Sequence, residues 1–282
     1  MTSEAGRVVP ARRLVVIGAS GLIGSHLTSE AMRQGLPVIS VSRGELLEDV
    51  LTQDDIVVNC ALTPAYRTGP YDPAADLERK SAEIARRCHA RVLMLSTRKV
   101  YAAACQWGAR EEDEIDFDGP GYGPNKARTE AWIEDALGER ALILRLANAF
   151  GFEYTPGGPV RPSFFGHMLH RLRHEGEIYF DMASETRRDF IPVWIVVRSI
   201  VGAVKAGASG VFNIGSGSAV ACGDVARALI SGYGEGRLQE TLDVRDEFFL
   251  NNSKWTTRFG RPEGTVDPLV VAHTFGERLR YA

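Results

Sequence analysis

Three side chains near the middle of the chain have the types and spacing to move a proton. Tyr122 and Lys126 stand four apart in YGPNK. If a helix begins near Pro124, Tyr122 precedes it and Lys126 lies one turn in, so both face one side. An ammonium beside a phenol favours the phenolate and brings a pKa of about 10 toward the working range of an acid/base group. Thr97, where LSTRKVY leaves a buried run, is placed to donate a hydrogen bond to a carbonyl or a developing alkoxide. Singly these signals are weak. Y-x-x-x-K is common at helix starts, and hydroxyls routinely cap strand ends.

A second constellation lies upstream. Gly18, Gly21 and Gly24 form GxxGxxG directly after an apolar run and at the opening of a helical pattern. The first glycine permits the tight turn, the second lets backbone approach a pyrophosphate, and the third lets helix and strand pack closely. The helix start then offers amide donors and a favourable dipole to phosphates. An acid normally follows about 20 residues on to hold a ribose 2′-hydroxyl. Here the next strand ends SVSRG, with Arg43 and no carboxylate before Glu45. A guanidinium pairs with a 2′-phosphate, which points to NADP(H) rather than NAD.

These groups need a scaffold, and the alternation of patterns supplies one. RLVVI, GASGLIG and HLTSEAMRQG read as strand, turn and helix, with Gly35 as the stop. PVISVSR, DIVVNCA, RVLMLST and ALILRLANAF read as further strands, and GELLEDVLT, LERKSAEIARRCHA and PNKARTEAWIEDAL as helices. Pro124 suits a first turn. Buried strands alternating with helices predict an α/β fold, a doubly wound Rossmann sheet covered on both faces. After Gly151 the segment EYTPGGPVRP reads as a loop. The apolar runs DFIPVWIVV and VFNIG are expected to return to the sheet. The expected division is a dinucleotide-binding domain over residues 1–150 joined by 189–214, and a smaller, discontinuous substrate lobe from 151–188 and 215–282.

Composition narrows the classes. With 282 residues, 44% of them hydrophobic, the chain buries a sizeable core. A net charge of -3 gives no reason to expect nucleic acid or an acidic membrane as a partner. Cys60, Cys88, Cys105 and Cys222 show neither CxxC spacing nor a neighbouring His pair, so reduced thiols are expected and a metal site is not. The N-terminus has no signal-peptide core and no apolar run is long enough to span a bilayer, which predicts a cytoplasmic protein.

Taken together, the motifs resemble the extended short-chain dehydrogenase/reductases, a family of nucleotide-sugar epimerases, dehydratases and reductases. GASGLIG, DIVVNCA, STRKVY, YGPNK with Glu130, RLANAFG, RRDFIPV and FNIGSG occur in the family's order, and SKWTTRFGRP looks like its late motif. The resemblance implies a Rossmann domain for NAD(P) and a C-terminal lobe for a nucleotide-diphospho-sugar. It implies that Thr97 orients the reacting carbonyl, Tyr122 donates the proton and Lys126 tunes Tyr122. Cofactor contacts then fall on Gly18, Ser20, Gly21, Leu22, Ile23, Gly24, Ser42, Arg43, Asn59, Cys60 and Ala61, besides Tyr122 and Lys126. Asn148 and Arg188 match positions that contact the substrate's phosphates. The plainer reading of Arg188 is an ion pair with Glu185 or Asp189. Homodimers are common in the family.

Departures from the pattern point to one branch. Dehydratases of this kind carry Asp-Glu after the catalytic Thr, whereas Arg98 and Lys99 stand here. The His expected in fucose-type epimerase-reductases is replaced by Phe152 and Glu153, and Cys105 lacks an obvious partner. Asp76 stands where the family often has Asn, and Pro192-Val193-Trp194-Ile195 replaces His-Val-x-Asp. The short segment before DIVVNCA is similar to that of the family's 4-ketoreductases. The expected activity is NADPH-dependent reduction of a keto group on a nucleotide-diphospho-sugar, with a 4-keto-6-deoxyhexose as the expected sugar. An NAD-retaining epimerase and a non-catalytic dinucleotide sensor are the alternatives.

Overall fold

A computed structural model describes residues 13–42, 47–153, 155–158, 163–241, 243, 246–261 and 267–282. Six strands form its central sheet: β1 (Leu14–Ile17), β2 (Val38–Val41), β3 (Ile56–Asn59), β4 (Arg91–Thr97), β5 (Ala141–Leu146) and β6 (Gly210–Ile214). Their order is β6-β5-β4-β3-β1-β2, and every pairing is parallel. The order reverses between β1 and β3, and only β2 lies on the far side of β1. That matches the brevity of the segment between PVISVSR and DIVVNCA.

The seven longest helices are α1 (Leu22–Arg33), α2 (Leu77–Arg87), α3 (Tyr122–Leu137), α4 (Phe164–Glu175), α5 (Val193–Lys205), α6 (Cys222–Tyr233) and α7 (Pro268–Arg280). Side chains alternate across each strand, so both faces of the sheet must be covered. Leu14, Val16, Val58, Leu93 and Leu144 pack on one face against Leu27, Val197 and Val201 of α1 and α5. Val15, Val57, Met94 and Ile143 pack on the other against Ala82 of α2 and Ile133 of α3. A third cluster joins Phe150, Phe165 and Phe190 to α6 and α7 through Val225, Leu229, Ala272 and Phe275. Its centre is the Phe150–Phe165 stack, with ring centroids 4.4 Å apart.

Four local expectations change. Helix α3 begins at Tyr122, two residues before Pro124, with Gly121 as its N-cap. A proline in the first turn costs nothing, because the first N–H groups of a helix lack intrahelical acceptors anyway. ALILRLANAF is two strands, not one. Ala147 donates to the Ile214 carbonyl of β6, and Asn148 donates to Asp189, so the chain changes partner at that point. Asn148–Phe150 then pairs with Phe190–Pro192, outside the sheet. DFIPVWIVV does not return as a sheet strand. After Pro192 it becomes α5, whose Val193, Val196, Val197, Ile200, Val201 and Val204 recur at helical spacing on a buried face. Residues 215–282 are also not uniform, since Phe248, Leu250 and Trp255 pack into the core beside the sheet.

Candidate active site

The glycine loop lies at the C-terminal end of β1, where the strand order reverses and a crevice opens. Gly18 has φ +78°, and a side chain there would press against the backbone of Ala61. A Cβ on Gly24 would overlap the Gly18 carbonyl oxygen, so the loop and α1 pack only with glycine at both positions. Gly21 caps α1 with extended backbone and no side-chain acceptor, leaving the first-turn amides to bind an anion. The groove beside it measures about 970 Å³ and is lined by Gly18, Ser20, Gly21, Ser42, Cys60 and Ala61. Leu22 and Ile23 pack against the core, and Gly24 is buried beneath the loop. Arg43 lies outside the described residues. No carboxylate lines the groove among those described; Ser40, Ser42 and Lys80 do. A dinucleotide fits this cradle: backbone donors at the turn, hydroxyls at the β2 end, and Lys80 of α2 on the wall.

Helix α3 brings Tyr122 and Lys126 to the end of β4. A Cβ on Gly123 would overlap the Lys99 carbonyl oxygen, so glycine sets how closely α3 approaches the turn after Thr97. Tyr122, the first residue of α3, is half-buried and lines a cleft of about 690 Å³. Lys126 is buried one turn on. Its ammonium donates to Glu78 Oε2 at 2.7 Å and to the Leu95 carbonyl at 2.8 Å. Burial works against that charge, but Glu78, then Tyr122 and Tyr66, outweigh it and hold Lys126 above its ordinary pKa. Thr97 is buried at the end of β4, where its hydroxyl caps the next turn by accepting from Lys99 N at 3.3 Å.

Asn59 ends β3; its side-chain amide donates to the Ala61 carbonyl at 3.1 Å and accepts from Ala61 N at 3.0 Å. Asn59, Ala61, Leu62, Glu78 and Lys126 line a small cavity that shares Ala61 and Leu62 with the dinucleotide groove. The groove therefore runs up to Lys126. Cys60 is no nucleophile: burial first, then the Glu78 charge, push its thiol up to about 12 despite Lys126.

The cleft beyond Tyr122 is rimmed by Arg67, Arg98, Lys99 and Asp246. Arg98 is itself buried, stacked 3.7 Å over the Phe248 ring and paired with Asp246 through contacts of 2.9 and 2.5 Å. Desolvation and the like charges of Arg98, Arg188 and Arg67, opposed by Asp246, lower the pKa of Lys99. Asn148 pairs with Phe190, and its backbone N–H donates to the carbonyl of Asp189, the residue after Arg188. Arg188 neighbours Asp246 at 4.0 Å, rather than Glu185 or Asp189. Asp189 turns inward and accepts from Ser216 N and Oγ and from Leu250 N.

Sequence reasoning missed Glu78, Arg67, Lys80 and Asp246. For Glu78 a signal existed: it shares the stripe Glu78, Ser81, Ala82, Ala85, which is the buried face of α2. An acid in an otherwise small and apolar stripe has to find a cation. Asp246 carried none, since it meets Arg98 from far along the chain.

A family model described as "NAD dependent epimerase/dehydratase family" matches residues 14–215. A dTDP-4-dehydrorhamnose reductase of Streptomyces griseus is 30% identical over 167 residues, which are 53% of this chain and 53% of that protein. The match thus spans about half the length of that relative. The dTDP-4-dehydrorhamnose reductase of Mycobacterium tuberculosis is 36% identical over 56 residues, covering 17% of this chain and 18% of its own. Among solved structures, the dTDP-glucose 4,6-dehydratase of Bacillus anthracis in complex with NAD superposes with a TM-score of 0.77 at 18% identity, covering 95% of this chain and 97% of its own. The UDP-glucose 4-epimerase of Thermus thermophilus with NAD gives 0.73 at 18% identity, covering 96% and 99%. These two share the fold.

Proposed function

The chain belongs to the NAD dependent epimerase/dehydratase family, and from that premise we propose that it reduces a keto group on a nucleotide-diphospho-sugar, using NADPH. The observation that carries this reading is the make-up of the cleft wall next to Tyr122. Where an eliminating enzyme needs free carboxylates, this chain presents Arg98, locked to Asp246, and the cation Lys99. The cleft's other carboxylates, Asp116 and Glu247, come from other segments and not from the positions after Thr97, so Tyr122 with Lys126 one turn on is the pair left to donate a proton to a ketone oxygen. The half-length likeness to dTDP-4-dehydrorhamnose reductase supports the same branch and a 4-keto-6-deoxyhexose substrate.

When bound, the reduced nicotinamide supplies the hydride for the ketone carbon. Gly18, Ser20, Gly21, Ser42, Asn59, Cys60 and Ala61 hold the dinucleotide, with Lys126 at the far end of the groove. Arg43, helped by Lys80, takes the 2′-phosphate that distinguishes NADP. Tyr122 donates its phenol proton to the ketone oxygen, and Thr97 holds that oxygen by its hydroxyl. Asn148 and Arg188 anchor the diphosphate, which turns encounter into a near-unimolecular step. No helix among the described residues is long and apolar enough to cross a membrane.

The test is to mix the protein with NADPH and a panel of nucleotide-diphospho-4-keto-6-deoxysugars and follow loss of reduced nicotinamide. Consumption with a panel member establishes the reductase. No consumption, with NAD tightly bound to the purified protein, establishes the epimerase reading instead. Neither consumption nor bound dinucleotide favours the sensor. Arg43→Asp is expected to move preference from NADPH toward NADH, and an unchanged ratio removes Arg43 from the 2′-phosphate site.

A further inference from the structure

A pocket of about 570 Å³ opens between the C-terminal end of α1, one face of α5 and the short helix Ser253–Phe259. It shares no lining residue with the dinucleotide groove or with the cleft beside Tyr122. Helix α1 starts at the glycine loop and runs for 12 residues. Its far end, where this pocket lies, is therefore about 18 Å from that loop. We propose that the pocket is a second binding site, for an aromatic phosphate of the size of a nucleoside phosphate. The assignment is independent of which reaction the active site performs.

The lining joins cations to rings. Arg33, Arg198 and Arg261 line the pocket, and among the described residues no Asp or Glu does. Glu30, buried on α1, meets Arg33 at 2.6 Å and Arg198 at 3.9 Å. One carboxylate thus faces two guanidinium groups, and Arg261 brings a third. Planar guanidinium groups match the oxygens of a phosphate. Rings form the other wall. Trp255 and Phe259 lie 4.4 Å apart, and they pack on Phe212 of β6 at 5.7 and 5.5 Å. The sheet therefore anchors that wall. A ligand ring meets an aromatic surface there, and its phosphate meets the cationic rim.

The floor carries features that the chain's own packing does not explain. Gly202 stands inside α5, and a Cβ there would meet nothing within 4 Å. Other glycines inside helices are required by their neighbours: Gly24 by the Gly18 carbonyl, Gly123 by that of Lys99, Gly232 and Gly276 by the facing backbones of α7 and α6. Glycine inside a helix is destabilising relative to alanine, and at Gly202 no close approach offsets this. Its missing side chain keeps the floor of the pocket open. Three residues earlier on the same face, Ser199 also lines the pocket. It is 5% exposed, and its hydroxyl has no hydrogen-bond partner among the described residues. A buried hydroxyl left unpaired is unfavourable, and a ligand oxygen seated on this floor supplies the partner.

The test is fluorine NMR of the full-length protein carrying fluorotryptophan, with the Trp255 signal assigned by its absence in Trp255→Phe. UDP, dTDP and ADP are titrated in, with inorganic pyrophosphate beside them. The Trp255 signal is expected to move saturably with at least one nucleotide, and to need about tenfold more pyrophosphate for the same response. Gly202→Leu fills the floor from an exposed helix position, and Arg261→Glu reverses a charge on the rim. Each is expected to weaken the Trp255 response about tenfold or more, with NADPH binding unchanged. Should the leucine variant not fold, Arg261→Glu carries the same expectation from an exposed position. A Trp255 signal that none of the nucleotides moves at about 10 mM overturns the proposal. A response kept in full by either folded variant also overturns it, because the nucleotide then acts from the active site. Pyrophosphate that binds as tightly as the nucleotides overturns the aromatic part of the assignment.

Discussion

Two buried ion pairs hang from α3, and they are built differently. Lys126 meets Glu78 and Glu130 meets Arg145, each at 2.7 Å and each with both side chains about 5% exposed or less. Arg145, on β5, commits four of its five N–H groups: Nε and one of Nη2 to Glu130, and both of Nη1 to the Tyr101 hydroxyl and the Glu111 carbonyl. Lys126 has two acceptors for three N–H groups and lies beside the cavity that continues the dinucleotide groove. A planar guanidinium held from both sides by four bonds ties helix to sheet. An ammonium with one donor in hand at the cavity that continues the groove can meet a bound group.

The contrast breaks or holds on a pair of variants. Tyr122→Phe is expected to lower turnover about 10²–10⁴-fold with dinucleotide affinity kept, measured by NADPH consumption and fluorescence titration. Arg145→Met is expected to do the reverse. It strands Glu130 and lowers unfolding free energy by about 3–5 kcal/mol in urea, with turnover of the folded fraction nearly unchanged. If Arg145→Met instead abolished turnover in protein that is still folded, the two pairs would not differ in kind. Adding Glu130→Leu to Arg145→Met removes the stranded charge and should restore most of the lost stability.

Asp189 sharpens the comparison as a buried carboxylate whose hydrogen bonds come from neutral donors. Burial raises its pKa to about 6, against the pull of Ser216, Leu250 and Gly217. Its folded pKa thus lies above the ordinary 3.8. Protonated Asp189 stabilises the fold below about pH 4, and that contribution, on the order of 3 kcal/mol, is lost as pH rises through 6. Urea titrations of Asp189→Asn should show a flatter pH dependence than the parent over that window, and an equal slope rules out this role. The smallest effect is expected at the α3–turn contact. Gly123→Ala has to push Tyr122 away from the turn after Thr97, which costs about 1–3 kcal/mol of stability and lowers kcat more than it raises KM.

What the sequence made legible follows from how each part is built. The glycine loop is a backbone device, so its residues announce it: Gly18 and Gly24 have no substitutes at their positions. Tyr122 and Lys126 were readable because one helix spaces them. The strands of the sheet were readable as apolar runs, but a run does not show where its partner changes, and so Ala147 passed unnoticed. DFIPVWIVV reads as β by its branched residues, while its spacing already favours the helix that forms. The cleft was least legible, because Arg98 and Asp246 meet across 148 positions and no local pattern records that pairing.

An all-parallel sheet also sets how the chain must assemble. Even its most local pairing, Leu14 with Val38, waits for a complete helix to be laid between the strands. No hairpin seeds the sheet, so loop-closure entropy is spent before strand contacts repay it, and refolding should be slow. Lys126 and Glu78 belong to different crossovers and can meet only once α2 and α3 have both docked. On refolding, helical signal should therefore return before the capacity to turn over substrate: the protein regains its shape first and its chemistry last.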